Sequence, residues 1–237
     1  MRSAEIVRHR MHSQHLWGHP LESPEEVVRR LGALQAQEYA YAKWSVAQRA
    51  AGVDEAAMDQ ALAIGTILRT HLLRPTWHFV LPEDIRWLLK VSAPRVNALN
   101  AYYYRQHGLD DELFATSNAT LANALEPGGH LTRKELAIAL GRAGILASGP
   151  RLGMIMMRAE LDAVICSGAP RGKQQTYALL DERAPEARTM DTDEALAELT
   201  RRYFTSRGPA TLKDYLRWSS LTATEGKDRG QGRTLRD

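Results

Sequence analysis

The strongest constraint on this chain is an order of segments that occurs twice. ILRTHLLRPTWHFVL, residues 67–81, alternates, is rich in large side chains and is broken by Pro75, so it reads as two short strands and a turn. VICSG and QQTYALL, separated by APRGK, read the same way, with a basic tip containing glycine. Helical stretches precede each hairpin. SPEE, from Ser23, reads as a capping box: Ser23 is the N-cap, Pro24 the first helical residue, and Glu26 reaches back. Val27, Leu31 and Leu34 then recur at helical spacing, and a further helix is expected from about Asp54 to Ile64.

Before the second hairpin, LTRKELAIALGRAG opens with a second box, Thr132 to Glu135, and ends at Gly144. RLGMIMMRAELDAVI follows it as a helix from near Pro150. A long helix is expected between the two repeats, after Pro82, and another at the start of the chain over about Ser3–Leu16. A third start, TDEALAELTRRYFTSRGPATLKDYLRWSSL, gives a helix, a Gly-Pro turn and a helix capped by Thr211. Helix, turn, helix, hairpin is the order of a winged helix. The expected fold is therefore mainly α with short β-hairpins, as tandem winged-helix domains of which the third is incomplete. The expected boundaries are 1–108, 109–190 and 191–221, with a polar tail over 222–237 that has too little to bury to offset its ordering entropy.

Composition narrows the function classes. With 44% hydrophobic and 25% charged residues over 237 positions, the chain can bury a core. Its charged start carries no signal peptide, and no apolar run approaches the roughly 20 residues of a membrane span. One cysteine, Cys166, rules out an internal disulfide and a cysteine-based zinc site. The expectation is a cytoplasmic protein of bacterial type with no membrane partner. Neither a phosphate-cradling GxxxxGK[ST] or GxGxxG loop nor a GxSxG elbow occurs, so no nucleotide cofactor is expected. His9, His12, His15 and His19 fall at three- and four-residue steps on the first helix, but with no cysteine among them and no carboxylate fixed behind their rings they read as a polar face, and no metal is expected.

Cations sit where winged helices meet phosphate. Arg151 and Arg158 flank the expected recognition helix of the second unit, Arg171 and Lys173 lie on its hairpin tip, and Arg69 and Arg74 are on or beside the first hairpin. Against this, any helix surface carries charge, and MIMM leaves open whether the second helix faces core or groove.

Two glutamines remain. In LGALQAQEYAYAKW, Gln35 and Gln37 stand one alanine apart at a helix exit. Two positions apart on a helix diverge by about 200°, whereas on an extended segment they point to one side, so both carboxamides can face one cavity if the helix stops near Leu34. The plain alternative is a solvated helix end.

Here the chain resembles the AlkZ-type DNA glycosylases, a bacterial winged-helix family, through its glutamine–apolar–glutamine motif. The likeness continues through RTHLLRPTWHFVLPEDIRWLL, similar to the family's Arg-x-His, His-hydrophobic-Val and Asp-x-x-Trp segment, and through RMHSQHL and RGPATLKDYLRWSSLT. It covers about Arg8 to Thr222, in the family's order. A sister branch has aspartate at the second glutamine position.

The resemblance implies a basic cleft and monofunctional glycosylase chemistry on double-stranded DNA carrying N7-alkylated purines, interstrand crosslinks among them, without cofactor. It implies Gln35 and Gln37 as the catalytic pair; Tyr39, Tyr41, Trp44, Trp77 and His78 are expected to line the lesion pocket, with core packing the alternative for Trp44. The family extends past the point where this chain ends, so a C-terminal part is expected to be lacking. Two other readings stand beside this one: a non-catalytic winged-helix DNA-binding regulator, and an inactive truncated relative.

Overall fold

In a computed structural model of the chain, residues 2–222 are described. The expected polar tail lies outside them except for Thr222. The chain runs α1 (Ser3–Ser13), α2 (Pro24–Leu31), β1 (Leu34–Gln35), α3 (Tyr39–Ala47), α4 (Glu55–Ile64), β2 (Leu68–Leu72) and β3 (Thr76–Val80). A 3-10 turn, Pro82–Asp84, leads into the long α5 (Ile85–Gln106). Then come α6 (Asp111–Leu125), β4 (Leu131–Thr132), α7 (Arg133–Arg142), α8 (Gly149–Leu161), β5 (Ile165–Ser167), β6 (Thr176–Leu179) and the short α9 (Leu180–Arg183). Finally α10 (Thr192–Arg207) and α11 (Leu212–Ser219) flank a Gly-Pro turn.

One order of elements occurs twice along the chain. The order α2-β1-α3-α4-β2-β3 recurs as α6-β4-α7-α8-β5-β6. Each copy folds its strands into a small antiparallel sheet with the third strand in the middle, β1-β3-β2 in the first and β4-β6-β5 in the second. The molecule is mainly helical, and among the described residues no helix is long and apolar enough to cross a membrane.

Local chemistry explains most element ends. Ser23 accepts the Glu26 N–H at 3.2 Å, as expected, but the Glu26 carboxylate reaches one residue further back, to the Glu22 N–H at 2.9 Å, and does not close the box. Thr132 and Glu135 do close theirs, with bonds of 2.7 and 3.3 Å, and Thr211 caps α11 through Asp214. Gly32, at φ 73, ends α2 at Leu31, three residues before the expected stop, because a left-handed residue cannot continue the helix. Similarly α1 ends at Ser13, so His15 and His19 lie beyond it and the four histidines do not share one helical face. Helix α3 is an element the sequence reading missed: YAYAKWSVA spreads its apolar residues around the axis, leaving no single stripe.

A core shared by all three segments runs through the centre. Leu68 and Leu72 of β2 pack there with Ile85, Leu88 and Leu89 of α5, Met157 and Leu161 of α8, and Leu199 of α10. Helix α8 is buried on several sides at once, with Leu152, Ile155, Met156, Ala159 and Glu160 inside as well, and it packs against α5, α6 and β2. The helix expected to read a groove is thus an internal strut between the two units. MIMM supplies apolar surface on more than one side, and burial of each such side chain is worth about 1.5–3 kcal/mol.

Candidate active site

The segment after Gly32 is extended, and its side chains alternate. Leu34 and Ala36 are buried at 7% and 0% exposure, while Gln35 and Gln37 are exposed, so the two carboxamides leave the chain on the solvent side and the two apolar residues anchor it. β1 pairs with β3 in the register Leu34↔Phe79 and Gln35↔His78. Beyond the strand, the Ala36 N–H donates to the Trp77 carbonyl at 2.7 Å, and the Trp77 N–H donates to Gln37 Oε1 at 3.4 Å. Gln35 makes no side-chain hydrogen bond among the described residues. Its carboxamide is free to meet a ligand or water.

Between the glutamines, the Ala36 carbonyl is held by a single side chain. Arg69 of β2 donates to it through Nε at 3.1 Å and Nη2 at 2.9 Å. The guanidinium also lies 4.3 Å from a Trp77 ring and 5.4 Å from Tyr39, a cation–π geometry on both. Burial lowers the pKa of Arg69. This arginine was expected to meet phosphate; its donors are instead spent on the backbone of the glutamine corner.

Of the other expected pocket residues, Trp77 and His78 stay beside the glutamines, while Tyr39 and Trp44 border cavities of their own. Tyr39 opens α3, half-buried and edge-on to Phe79 at 6.0 Å, with burial raising its phenol pKa. It lines a cavity of about 420 Å³ with Lys43, Glu55, Asp59, Lys173 and Gln175, which lies between α3, α4 and the second hairpin's tip. Trp44 is 62% exposed and borders a different cavity, of about 320 Å³. The Trp77 indole turns toward Arg69 and the second unit. His78 is 1% exposed, and burial pushes its imidazole down to about 3, so it is neutral, with Nδ1 directed at the Thr76 carbonyl at 3.0 Å. As the cross-strand partner of Gln35, His78 lies on the same face of the sheet as that carboxamide, enclosed where the glutamine is exposed.

The cations expected at DNA are mostly occupied. Arg151 donates to the carbonyls of Leu146 and His107, and Arg158 pairs with Asp162 at 2.8 Å above the Phe114 ring. Arg171 pairs with Glu135 at 2.9 Å and donates to the His130 carbonyl. Arg74 stands at the first hairpin's turn with its Nε buried and unbonded, and Lys173 is exposed at the second tip. Arg171 and Arg151 find partners far away in sequence, Glu135 and the His107 carbonyl, whereas Arg158 pairs within one turn of its own helix. Cys166, expected to be structural, is fully buried in β5, its thiol pushed up to about 12 by desolvation.

Two charged residues of this region were not anticipated. Lys43 is buried on α3, where burial pulls its ammonium down but Glu55 at 2.6 Å and Asp59 at 2.9 Å hold its pKa above the ordinary value. Glu160 is buried on α8. The second was detectable as the one acid inside the apolar run MIMMRAEL, where a carboxylate needs a buried partner.

Comparison with known proteins meets this geometry. The model of the AlkZ-like DNA glycosylases matches residues 28–231. An interstrand DNA cross-link repair glycosylase of Streptomyces sahachiroi is 27% identical over 227 residues, covering 93% of this chain and 61% of the relative. The solved structure of Streptomyces sahachiroi DNA glycosylase AlkZ superposes with a TM-score of 0.80 at 26% identity, over 93% of this chain and 62% of that one. The chain therefore spans about three-fifths of the length of these relatives. With the family's model matched over most of its length and its glutamine motif set at an exposed corner, the chain belongs to the AlkZ-like DNA glycosylase family.

Proposed function

We propose that the protein is a monofunctional DNA glycosylase that hydrolyses the N-glycosidic bond of N7-alkylated purines in duplex DNA, interstrand crosslinks included. The two repeated units are its winged helices, spanning about 1–108 and 109–190, and α10 and α11 begin a third. The observation that carries the reading is the corner itself: two neutral carboxamides exposed side by side, with the residue between them locked from behind.

The chemistry fits uncharged side chains. Alkylation at N7 leaves the purine cationic, so when the bond from C1′ to N9 breaks, its electron pair neutralises the base and no protonation by the enzyme is needed. General acid catalysis, worth about 10²–10⁴-fold elsewhere, is then dispensable. What remains is to hold a water near C1′ and stabilise the oxocarbenium-like sugar. Carboxamide oxygens do both as fixed dipoles and acceptors, and the water's oxygen bonds to C1′ while its proton passes to solvent. Gln37 is pre-aimed by the bond from the Trp77 N–H; Gln35 keeps all its hydrogen-bonding capacity. The rival reading of a groove-reading regulator loses its main support with α8 buried between the units.

The test is base release. A duplex carrying one N7-methylguanine is incubated with the protein, treated with alkali and examined for cleavage at that site. Gln37→Ala should lower the single-turnover rate by about 10²–10³-fold, the cost of losing one preorganised polar group, with duplex affinity nearly unchanged. Cleavage that survives both Gln35→Ala and Gln37→Ala would remove the pair from the mechanism.

A further inference from the structure

One buried carboxylate reaches the glutamine corner from the other unit. Glu160, in the last turn of α8, is 1% exposed. Its Oε2 bonds Nδ1 of His71, a β2 residue that is itself 5% exposed, and its Oε1 accepts from Trp77 Nε1 at 3.3 Å. His71 and Trp77 are partners in the β2–β3 register, and their rings lie 4.3 Å apart. Trp77 is also the residue whose main chain carries the corner, through its carbonyl to Ala36 and its N–H to Gln37. A second tie comes from the same unit, since Ser167 Oγ accepts the Arg69 N–H at 2.8 Å.

A carboxylate is an expensive way to join two units. Burying one among the methionines and leucines of α8 is costly unless it is fully paired, and an apolar side chain of similar volume would join α8 to β2 as well. What the carboxylate adds is direction. It takes two donors at fixed angles, so the χ angles of His71 and Trp77 are set together. Arg69 stacks on the indole so fixed, and spends its donors on Ala36. Every path from Glu160 thus ends at the three-residue segment Gln35–Ala36–Gln37.

We propose that Glu160 is a positioning residue for the glutamine pair: from the second unit, through His71 and Trp77, it sets the corner that presents Gln35 and Gln37, touching neither glutamine itself. The inference rests on the glycosylase reading above.

Glu160→Gln in the full chain tests it, with two readouts. The single-turnover rate of base release should fall about tenfold or more, as expected when catalytic groups are misplaced by a fraction of an ångström to an ångström, while the affinity for lesion duplex changes less than about twofold. The Ala36 amide should exchange with deuterium about tenfold faster, while core amides of α10 exchange as in wild type, because the loosening is local. Trp77→Phe, which keeps a ring but has no N–H for Glu160, should act in the same direction and serves if the glutamine variant does not fold. An unchanged rate, unchanged Ala36 exchange, or a rate loss that follows general unfolding of α10 would each overturn the proposal. A wild-type protein that releases no base would instead sink the glycosylase reading, and the exchange data would still decide whether Glu160 holds the corner.

Discussion

The two repeated units use the same strand-to-helix corner in opposite ways. In the second, Thr132 is both the last residue of β4 and the N-cap of α7, and its box with Glu135 satisfies the N–H groups of both residues. Arg171 adds to that closure, and its bonds, with those from Thr132, hold the Glu135 carboxyl down at about 2. In the first, Ala36, Gln37 and Glu38 intervene between β1 and α3, and Glu38 at the N-cap makes no side-chain cap. The first turn of α3 is left with uncapped N–H groups, and the Ala36 carbonyl is satisfied by an arginine from β2, on the far side of β3. One frame is therefore sealed for stability in one copy and left open for side chains in the other. An unsealed corner needs bracing from outside, and Arg69 supplies it.

The most direct way to break this comparison is to remove the brace. Arg69→Met should cost about 1.5–3 kcal/mol of stability, since a charged donor's bonds to the Ala36 carbonyl are lost, and should lower single-turnover base release by about tenfold or more. Arg69→Lys should recover little of the rate, because an ammonium cannot reproduce the fork of two parallel donors. Urea unfolding and the alkali-cleavage assay measure the two effects. A full rate with the stability lost would show that the corner holds its shape unaided.

The sequence made the frame legible and the occupancy of its charges illegible. Capping signals at Ser23, Thr132 and Thr211 and the alternation of the two hairpins are local, so they could be read directly. The exposure of both glutamines followed from one local condition, that the helix end before them, and Gly32 satisfied it earlier than expected. By contrast, Arg69 finds the Ala36 carbonyl 33 residues away, and Glu160 finds His71 across 89. No spacing rule reaches that far. The burial of α8 lies between these cases: MIMM posed the choice between core and groove, and only packing against α5 and β2 resolved it.

The second unit's corner provides the matching control. Thr132→Ala removes a cap and should cost about 1 kcal/mol in urea unfolding. Base release by the folded protein should remain at the wild-type rate, because no bond links Thr132 to the glutamine segment. If the rate fell with the cap, the two corners would be coupled and the contrast between them would have to be redrawn as one mechanical unit.

The smallest effect sharpens the contrast most. Glu38 is the acid nearest the glutamines in sequence, exposed and uncommitted to any cap. A glycosylase acting on neutral bases would be tempted to use such a carboxyl as a general acid, and Glu38→Gln would then cost about 10²–10⁴-fold. For a leaving group that is already cationic the proton is unnecessary, so Glu38→Gln should change the release of N7-methylguanine by less than about threefold, a barrier difference under about 0.7 kcal/mol. The same variant assayed on an uncharged lesion separates the two cases. A large loss on N7-methylguanine would move the chemistry from the carboxamides to the carboxylate, and the opening between β1 and α3 would then exist to free Glu38 from capping.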